Sequence, residues 1–294
     1  MNGFKSFLII ANELKDVQLK YSHQILDKLV AAGAKASLVV VDNADTIRQS
    51  LSGVEAVIVL GGDGTMLRVS HELAGTDIPV VGVNLGVVGF MTEVIVSEID
   101  HMIRRLMEGE FVLEDRMMLS GSVSFKYESS PEMSDPHDAL NDIVLARENS
   151  LRLIAVKINV NDKYFDTIEA DGIILSTPTG STSYNLSAGG PIVQPDARLM
   201  VMTPISPYSL TSRSVVFGVG DKITLEMIEK RKDSDNIGLV SFDGAHNLKV
   251  IPGDIVTITA SPNVFKMIRL EESSVYEILK KKIVYKDVDS TANQ

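Results

Sequence analysis

Five residues, Gly61-Gly62-Asp63-Gly64-Thr65, combine types that do chemistry together. Three glycines surround one carboxylate. Glycine lets the backbone take positive φ and lets a ligand approach the main chain closely. The apolar run Ala56-Val57-Ile58-Val59-Leu60 precedes them, and Met66, Leu67, Val69 and Leu73 follow at helical spacing. This reads as strand, tight turn, helix. Open α/β sheets bind ligands at the carboxyl ends of their strands. The N-terminus of the following helix offers unpaired N–H groups and a positive dipole end to an anion. A carboxylate fixed in that setting points to proton transfer or a metal contact at Asp63, on a phosphate or diphosphate ligand. Arg68 stands just over one turn into the helix. It returns to the same phosphates or serves as an ordinary solvated charge. No G-x-x-x-x-G-K-[ST] or G-x-G-x-x-G pattern is present, which excludes a P-loop and disfavours an ordinary dinucleotide grip.

A second set of candidates lies more than a hundred residues on. Thr177 to Pro191 holds seven hydroxyl side chains and three glycines, directly after an apolar run ending at Ser176. Such a loop offers neutral donors to a polyhydroxylated, phosphate-bearing ligand, with Tyr184 available to stack on a ribose or base. Asn141-Asp142 and Asp171-Gly172 each lead into a β-rich run. Alone, an Asx pair before a strand is turn chemistry. The five histidines, at 23, 71, 101, 137 and 246, have no metal-ligand spacing.

These stretches must be positioned by two kinds of element. Up to about residue 112, strand and helix patterns alternate. Strands are expected at Phe7–Ala11, Ser37–Val41, Val54–Leu60 and Ile78–Val83. Helices are expected over about Leu14–Ala32, Asp45–Leu51, Thr65–Ala74 and Ser97–Met107. In the first helix Val17, Tyr21, Ile25 and Leu29 share a face. Gly109 stops the last helix. Asn84 to Met91 forms another glycine-punctuated loop past a strand end. Beyond residue 112 the helical period fades. Short β-rich runs follow: Met118–Phe125, Ile143–Ala146, Leu153–Val160, Ile173–Ser176, Leu199–Pro204, Lys222–Ile228, Ile237–Phe242, Ile255–Thr259 and Val264–Leu270. Turn residues separate them. Lys126–Asp138 reads as an exposed loop or hairpin insertion. The expected fold is an α/β N-terminal domain with a Rossmann-like parallel sheet (1–112), an all-β, sandwich-like C-terminal domain (113–272) and a C-terminal segment (273–294) with a frayed tail and the start of a last helix at Val275–Leu279.

The 294 residues carry 39 acidic and 28 basic side chains, a net charge of −11. That balance argues against a non-specific nucleic-acid binder. There is no cysteine, so disulfides and cysteine–zinc sites are excluded, and a reducing cytoplasm fits. No stretch approaches the roughly 18 apolar residues of a membrane span, and the apolar part of the N-terminus is short for a signal peptide.

Taken in order, Gly61-Gly-Asp-Gly-Thr65, Asn84-Leu-Gly-x-x-Gly-Phe90, Asn141-Asp142, Asp171-Gly172, Thr177-Pro-Thr-Gly-Ser-Thr-Ser-Tyr184 and Ser187-Ala-Gly-Gly-Pro191 resemble the NAD kinase family over most of the chain. The glycine-acid turn is shared with diacylglycerol and sphingosine kinases, and phosphofructokinases carry a related turn. The Thr-Pro-Thr-Gly-Ser-Thr loop discriminates. The resemblance implies transfer of the γ-phosphate of ATP to the 2′-hydroxyl of the adenosine ribose of NAD, with Mg²⁺ or another divalent cation, in a cleft between the two domains. It implies Asp63 as catalytic base and metal contact, with Gly64 beside it and Arg68 near the phosphates. Asn141, Asp142 and Asp171 are implied as NAD contacts, with Arg152 a weaker one. Thr182, Ser183, Tyr184, Asn185, Leu186 and Ser187 are implied to line the adenosine. A homodimer or homotetramer is implied, and polyphosphate is an alternative donor. The competing readings are a lipid kinase and a non-catalytic NAD(P)-binding sensor. Two positions depart from the family pattern. Glu169 stands where several bacterial members are basic, and Ala245 where some place glutamine.

Overall fold

A computed structural model describes residues 3–41, 44–86, 89–126, 133–148, 152–229 and 237–270. The chain divides into two compact units, and the division falls between Asp115 and Arg116 and again between Phe265 and Lys266.

The first unit is the α/β one. Its elements are β1 (Ser6–Ala11), α1 (Lys20–Ala31), β2 (Lys35–Val40), α2 (Ala44–Gln49), β3 (Ala56–Gly61), α3 (Asp63–Leu73), β4 (Val80–Asn84), β5 (Val94–Ile95) and α4 (Ile99–Glu108). The strands β4, β3, β1 and β2 lie side by side and all pair in parallel. Every residue of β3 and β4 is buried. Strands covered on both faces need continuous apolar runs, as in Ala56–Leu60. Ile9, Ile58, Leu60, Val81 and Val83 share one core with Ile25, Leu29, Met102 and Leu106 from α1 and α4. Gly109 ends α4 in the left-handed conformation, φ 78°, as expected from the sequence.

The first helix is shorter than its apolar spacing predicts. Leu14 and Val17 are 88% and 72% exposed, and α1 begins only at Lys20. The buried Asp16 carboxylate decides this. It accepts the N–H groups of Tyr21 and Ser22 and the Ser22 hydroxyl, so the chain turns there before the helix starts. Ser97 was expected to open the last helix of this unit. It lies instead in a 3₁₀ turn, Val96–Glu98, that leads into α4.

The second unit is built from strands. They are the later part of β6 (Val112–Ser124), then β7 (His137–Ala139), β8 (Asp142–Arg147), β9 (Ile154–Val160), β10 (Lys163–Ala170) and β11 (Gly172–Ser176). After a short helix, α5 (Tyr184–Ser187), come β12 (Leu199–Ile205), β13 (Val215–Gly218), β14 (Ile223–Ile228), β15 (Gly238–Phe242), β16 (His246–Val250) and the earlier part of β17 (Ile255–Arg269). One antiparallel sheet runs β13-β12-β11-β8-β15-β16. A second antiparallel set runs β10-β9-β14-β17. Ile143, Leu145, Ile173 and Leu175 of the first share a core with Val156, Ile158, Ile223 and Leu225 of the second. That is the expected sandwich.

Strands β10, β13 and β16 have no counterpart in the sequence reading. Half of β10 is solvent-exposed and only Ile168 and Ala170 are buried, so its apolar signal is thin. Conversely, Ser261-Pro262-Asn263 reads as a break between two strands, yet β17 continues through it. Asn263 donates its amide to Asp138 at 2.7 Å. The expected hairpin insertion is present at its base, where β6 and β7 pair antiparallel; residues 127–132 and the expected helix at 275–279 lie outside the described residues.

Candidate active site

In the first unit the glycine-acid turn and the Asn84–Met91 loop meet on one carboxylate. Asp63 is the first residue of α3, just past the end of β3. Its Oδ2 accepts the Phe90 N–H at 2.8 Å and its Oδ1 the Met91 N–H at 3.0 Å. The Thr92 hydroxyl donates to Oδ1 at 3.4 Å while accepting the Asn84 amide at 2.8 Å. The Asn84 side-chain oxygen Oδ1 in turn accepts the Gly86 N–H. Gly89 is required by this packing, since a Cβ there would stand 1.9 Å from Asp63 Oδ1.

The glycines of the turn work differently from expectation. None of Gly61, Gly62 and Gly64 has positive φ. Gly61 is needed for close packing, because a Cβ would meet the Thr65 hydroxyl at 2.3 Å. A Cβ on Gly62 would lie 2.8 Å from the Lys15 ammonium. A Cβ on Gly64 meets nothing within 4 Å, so open space lies beside Asp63 at the helix start. Arg68 is exposed on α3. Five helical residues turn about 140° around the axis, so its backbone faces another side of α3 than that of Asp63.

In the second unit the centre is Asn141-Asp142, at the start of β8. The Asn141 carbonyl accepts the Thr177 N–H at 2.9 Å, and Thr177 donates its hydroxyl to the Leu140 carbonyl at 2.6 Å. Gly180 sits against the same peptide, where a Cβ would be 2.1 Å from the Asn141 oxygen. The hydroxyl-rich loop is therefore packed directly on this pair. As whole residues Asn141 and Asp142 are only 8% and 7% exposed. Among the described residues neither has a side-chain hydrogen-bond partner. Their polar atoms are not among the fully buried ones left without a partner, so these two side chains keep an opening through which a ligand can reach them. Burial, and secondarily the nearby Asp243 charge, push the Asp142 carboxyl up to about 7.

The hydroxyl loop corrects the sequence reading of open donors. Thr177, Thr179, Ser181 and Asn185 are buried. Ser181 donates to the Pro178 carbonyl at 2.6 Å and accepts the Val193 N–H at 3.0 Å. Thr182 donates to Thr179 at 3.2 Å. The Asn185 amide spans Ser181, Pro191 and Thr203. These groups hold the loop together. Ser183, Tyr184, Leu186 and Ser187 are exposed, Tyr184 by 44%.

Asp171, at the start of β11, forms an ion pair at 2.7 Å with Arg147 at the end of β8, a partner that sequence reasoning missed. Arg152 is exposed, just ahead of β9. Glu169 borders a cavity of about 450 Å³ with Thr167, Tyr208, Ser212 and Arg213. The largest omission is Asp243. Its carboxylate accepts three consecutive N–H groups, from Leu140 at 2.7 Å, Asn141 at 2.8 Å and Asp142 at 2.9 Å. Nothing local in the sequence marks it beyond its Asp-Gly turn.

Residues 33–111 match the ATP-NAD kinase N-terminal domain and residues 140–270 the ATP-NAD kinase C-terminal domain. The chain belongs to the NAD kinase family. An NAD kinase of Lachnospira eligens is 36% identical, covering 95% of this chain and 100% of its own length. One from Lachnoclostridium phytofermentans is 37% identical over 95% and 98%. Two solved structures share the fold at 23% identity. Yeast NADH kinase complexed with NADH has a TM-score of 0.87 over 97% of this chain and 89% of its own. An NAD kinase from Archaeoglobus fulgidus in complex with ATP has a TM-score of 0.71 over 90% and 94%. Both family domains therefore carry the candidates, Asp63 in the first and Asn141, Asp142 and the hydroxyl loop in the second.

Proposed function

We propose that this chain transfers the γ-phosphate of ATP to the 2′-hydroxyl of the adenosine ribose of NAD, giving NADP, with Asp63 as general base. The observation that carries the base assignment is the pair of N–H bonds from Phe90 and Met91. They fix the carboxylate at the helix start, beside the open space at Gly64. A carboxylate oxygen has two lone pairs; Oδ1 already takes the Met91 N–H and the Thr92 hydroxyl, whereas Oδ2 takes only the Phe90 N–H and can still accept a proton. A ribose hydroxyl is a weak nucleophile at neutral pH, and a positioned base contributes roughly 10²–10⁴ in rate. The rest of phosphoryl transfer is alignment and charge neutralisation.

The substrate contacts proposed in the second unit are Asn141 and Asp142, whose side chains lack protein partners, with the exposed face of Thr182–Ser187. Asp171 contributes through its ion pair with Arg147. Arg68 and Arg152 are proposed phosphate contacts, both on exposed positions. A divalent cation fits a particular arrangement here. Among the described residues no group of three or more His, Cys, Asp or Glu side chains could hold a metal. Mg²⁺ is held by one or two carboxylates together with substrate phosphates, so Asp63 is the proposed single protein ligand to a cation that arrives with ATP. When bound, that ion neutralises charge on the phosphates.

The lipid-kinase reading is not favoured, because the match to the family's C-terminal domain spans the hydroxyl-rich loop. Among the described residues no helix is long and apolar enough to cross a membrane. A cytoplasmic setting rests on the cysteine-free sequence, and a homodimer or homotetramer on the family resemblance. The test is to incubate the protein with NAD, Mg²⁺ and either ATP or polyphosphate, and follow NADP with an NADP-specific dehydrogenase. NADP forms with ATP and its formation stops in excess chelator. A protein that binds NAD without producing NADP is a sensor, and the proposal then fails.

A further inference from the structure

Asp243 sits in the turn between β15 and β16, about a hundred residues from Asn141 in sequence. It has positive φ, 52°, a conformation Asp tolerates better than most residues. From there its carboxylate gathers the N–H groups of Leu140, Asn141 and Asp142 within 2.9 Å. Its own N–H donates back to the Asp142 carbonyl at 3.0 Å. The segment thus held is the one whose two side chains are buried and have no protein partner among the described residues. The opposite side of the same segment is fixed by Thr177 and Gly180. An ordinary turn aspartate caps its own turn; this one reaches across to a different strand start.

We propose that Asp243 is a positioning residue: its carboxylate sets the backbone from which Asn141 and Asp142 reach the NAD substrate. The inference rests on the proposed NAD-binding role of that pair and adds a residue to it. Asp243 does not touch substrate; it acts through the peptide groups. Two features make the role testable apart from general stability. Asn tolerates the left-handed conformation and keeps one acceptor oxygen. Gly takes positive φ freely and removes the carboxylate without backbone strain.

The experiment compares wild type with Asp243→Asn and Asp243→Gly in three readouts. Amide hydrogen exchange reports the 140–142 N–H groups, calorimetry the binding of NAD, and steady-state kinetics the KM for NAD and for ATP. In Asp243→Gly, the three amides lose protection, and KM and Kd for NAD rise about tenfold, as expected for buried donors left unpaired. KM for ATP stays within about twofold, since no lost bond touches the other substrate's proposed contacts. Asp243→Asn falls between the two, and it carries the test by itself if the glycine variant does not fold. Unchanged NAD affinity in a folded variant whose three amides exchange freely overturns the proposal. Wild-type protein that binds NAD but forms no NADP overturns the kinase reading alone, and Asp243 is then judged on the calorimetric Kd. Wild-type protein that does not bind NAD overturns both.

Discussion

Asp63 holds two jobs in one carboxylate. It anchors the 90–92 segment through two N–H groups, and it is the proposed base, next in sequence to the open space at Gly64. Gly89 separates the two jobs experimentally. A Cβ at that position would fall 1.9 Å from Oδ1, so Gly89→Ala must displace either the carboxylate or its loop. The acid is retained but its placement is lost. NADP formation in Gly89→Ala is expected to fall by roughly 10²-fold, the scale of a misplaced reacting group, with far-UV circular dichroism unchanged. Activity near wild type would mean that the placement of Asp63 is unimportant. Asp142 offers a pH test. Its carboxyl is pushed from 3.8 to about 7 in the folded chain, first by burial and then by Asp243. The folded chain therefore keeps a proton that the unfolded chain releases. The stability from this group is complete below about pH 3.8 and is lost as pH rises through about 7. Thermal unfolding of Asp142→Asn should show a smaller drop in Tm from pH 5 to pH 8 than wild type; an equal drop would remove Asp142 as the titrating group.

At the scale of elements, short local devices set the ends of helices and strands. Gly109 ends α4 at φ 78°. Gly109→Ala is expected to cost about 1 kcal/mol, the penalty for a Cβ in a left-handed cap, with no change in KM for NAD. A chemical denaturation series measures it, and an unaltered midpoint would contradict the cap. Elements also show what a sequence discloses. The run Ala56–Leu60 with its glycine turn and the helix beyond it were legible, because a doubly buried strand must be apolar throughout. The end of α4 was legible for the same kind of local reason. The start of α1 was not, since Val17 carries the helical spacing with Tyr21, Ile25 and Leu29 while Asp16 takes the N–H groups that decide where the helix begins. Strand β10 was hidden because its outer half faces solvent and looks like loop.

Over the whole molecule, the candidate site was legible as residue types and less so as partnerships. The hydroxyl-rich loop announced itself by composition. Composition does not say whether a hydroxyl faces a ligand or a carbonyl of its own loop, and Ser181 and Thr182 turn inward while Ser183 and Tyr184 stay exposed. Asp243 was invisible because its partners at 140–142 are a hundred residues away. Division of the chain into two compact units, with Asp63, the proposed base, in one and the Asn141-Asp142 pair in the other, makes a separable prediction. Substitutions at Asn141 should weaken NAD binding while leaving the Phe90 and Met91 amides protected from exchange. Loss of that protection would show that the two sets are not independent.

The central claim is that Asp63 removes the proton from the ribose hydroxyl of NAD during phosphorylation by ATP. Asp63→Asn tests it most directly, with NADP formation and calorimetric NAD binding measured on the same preparation. The claim predicts that NADP formation falls by roughly 10²–10⁴ while the Kd for NAD stays close to that of the wild type. An Asp63→Asn protein that binds NAD and forms NADP at near wild-type rate would contradict it.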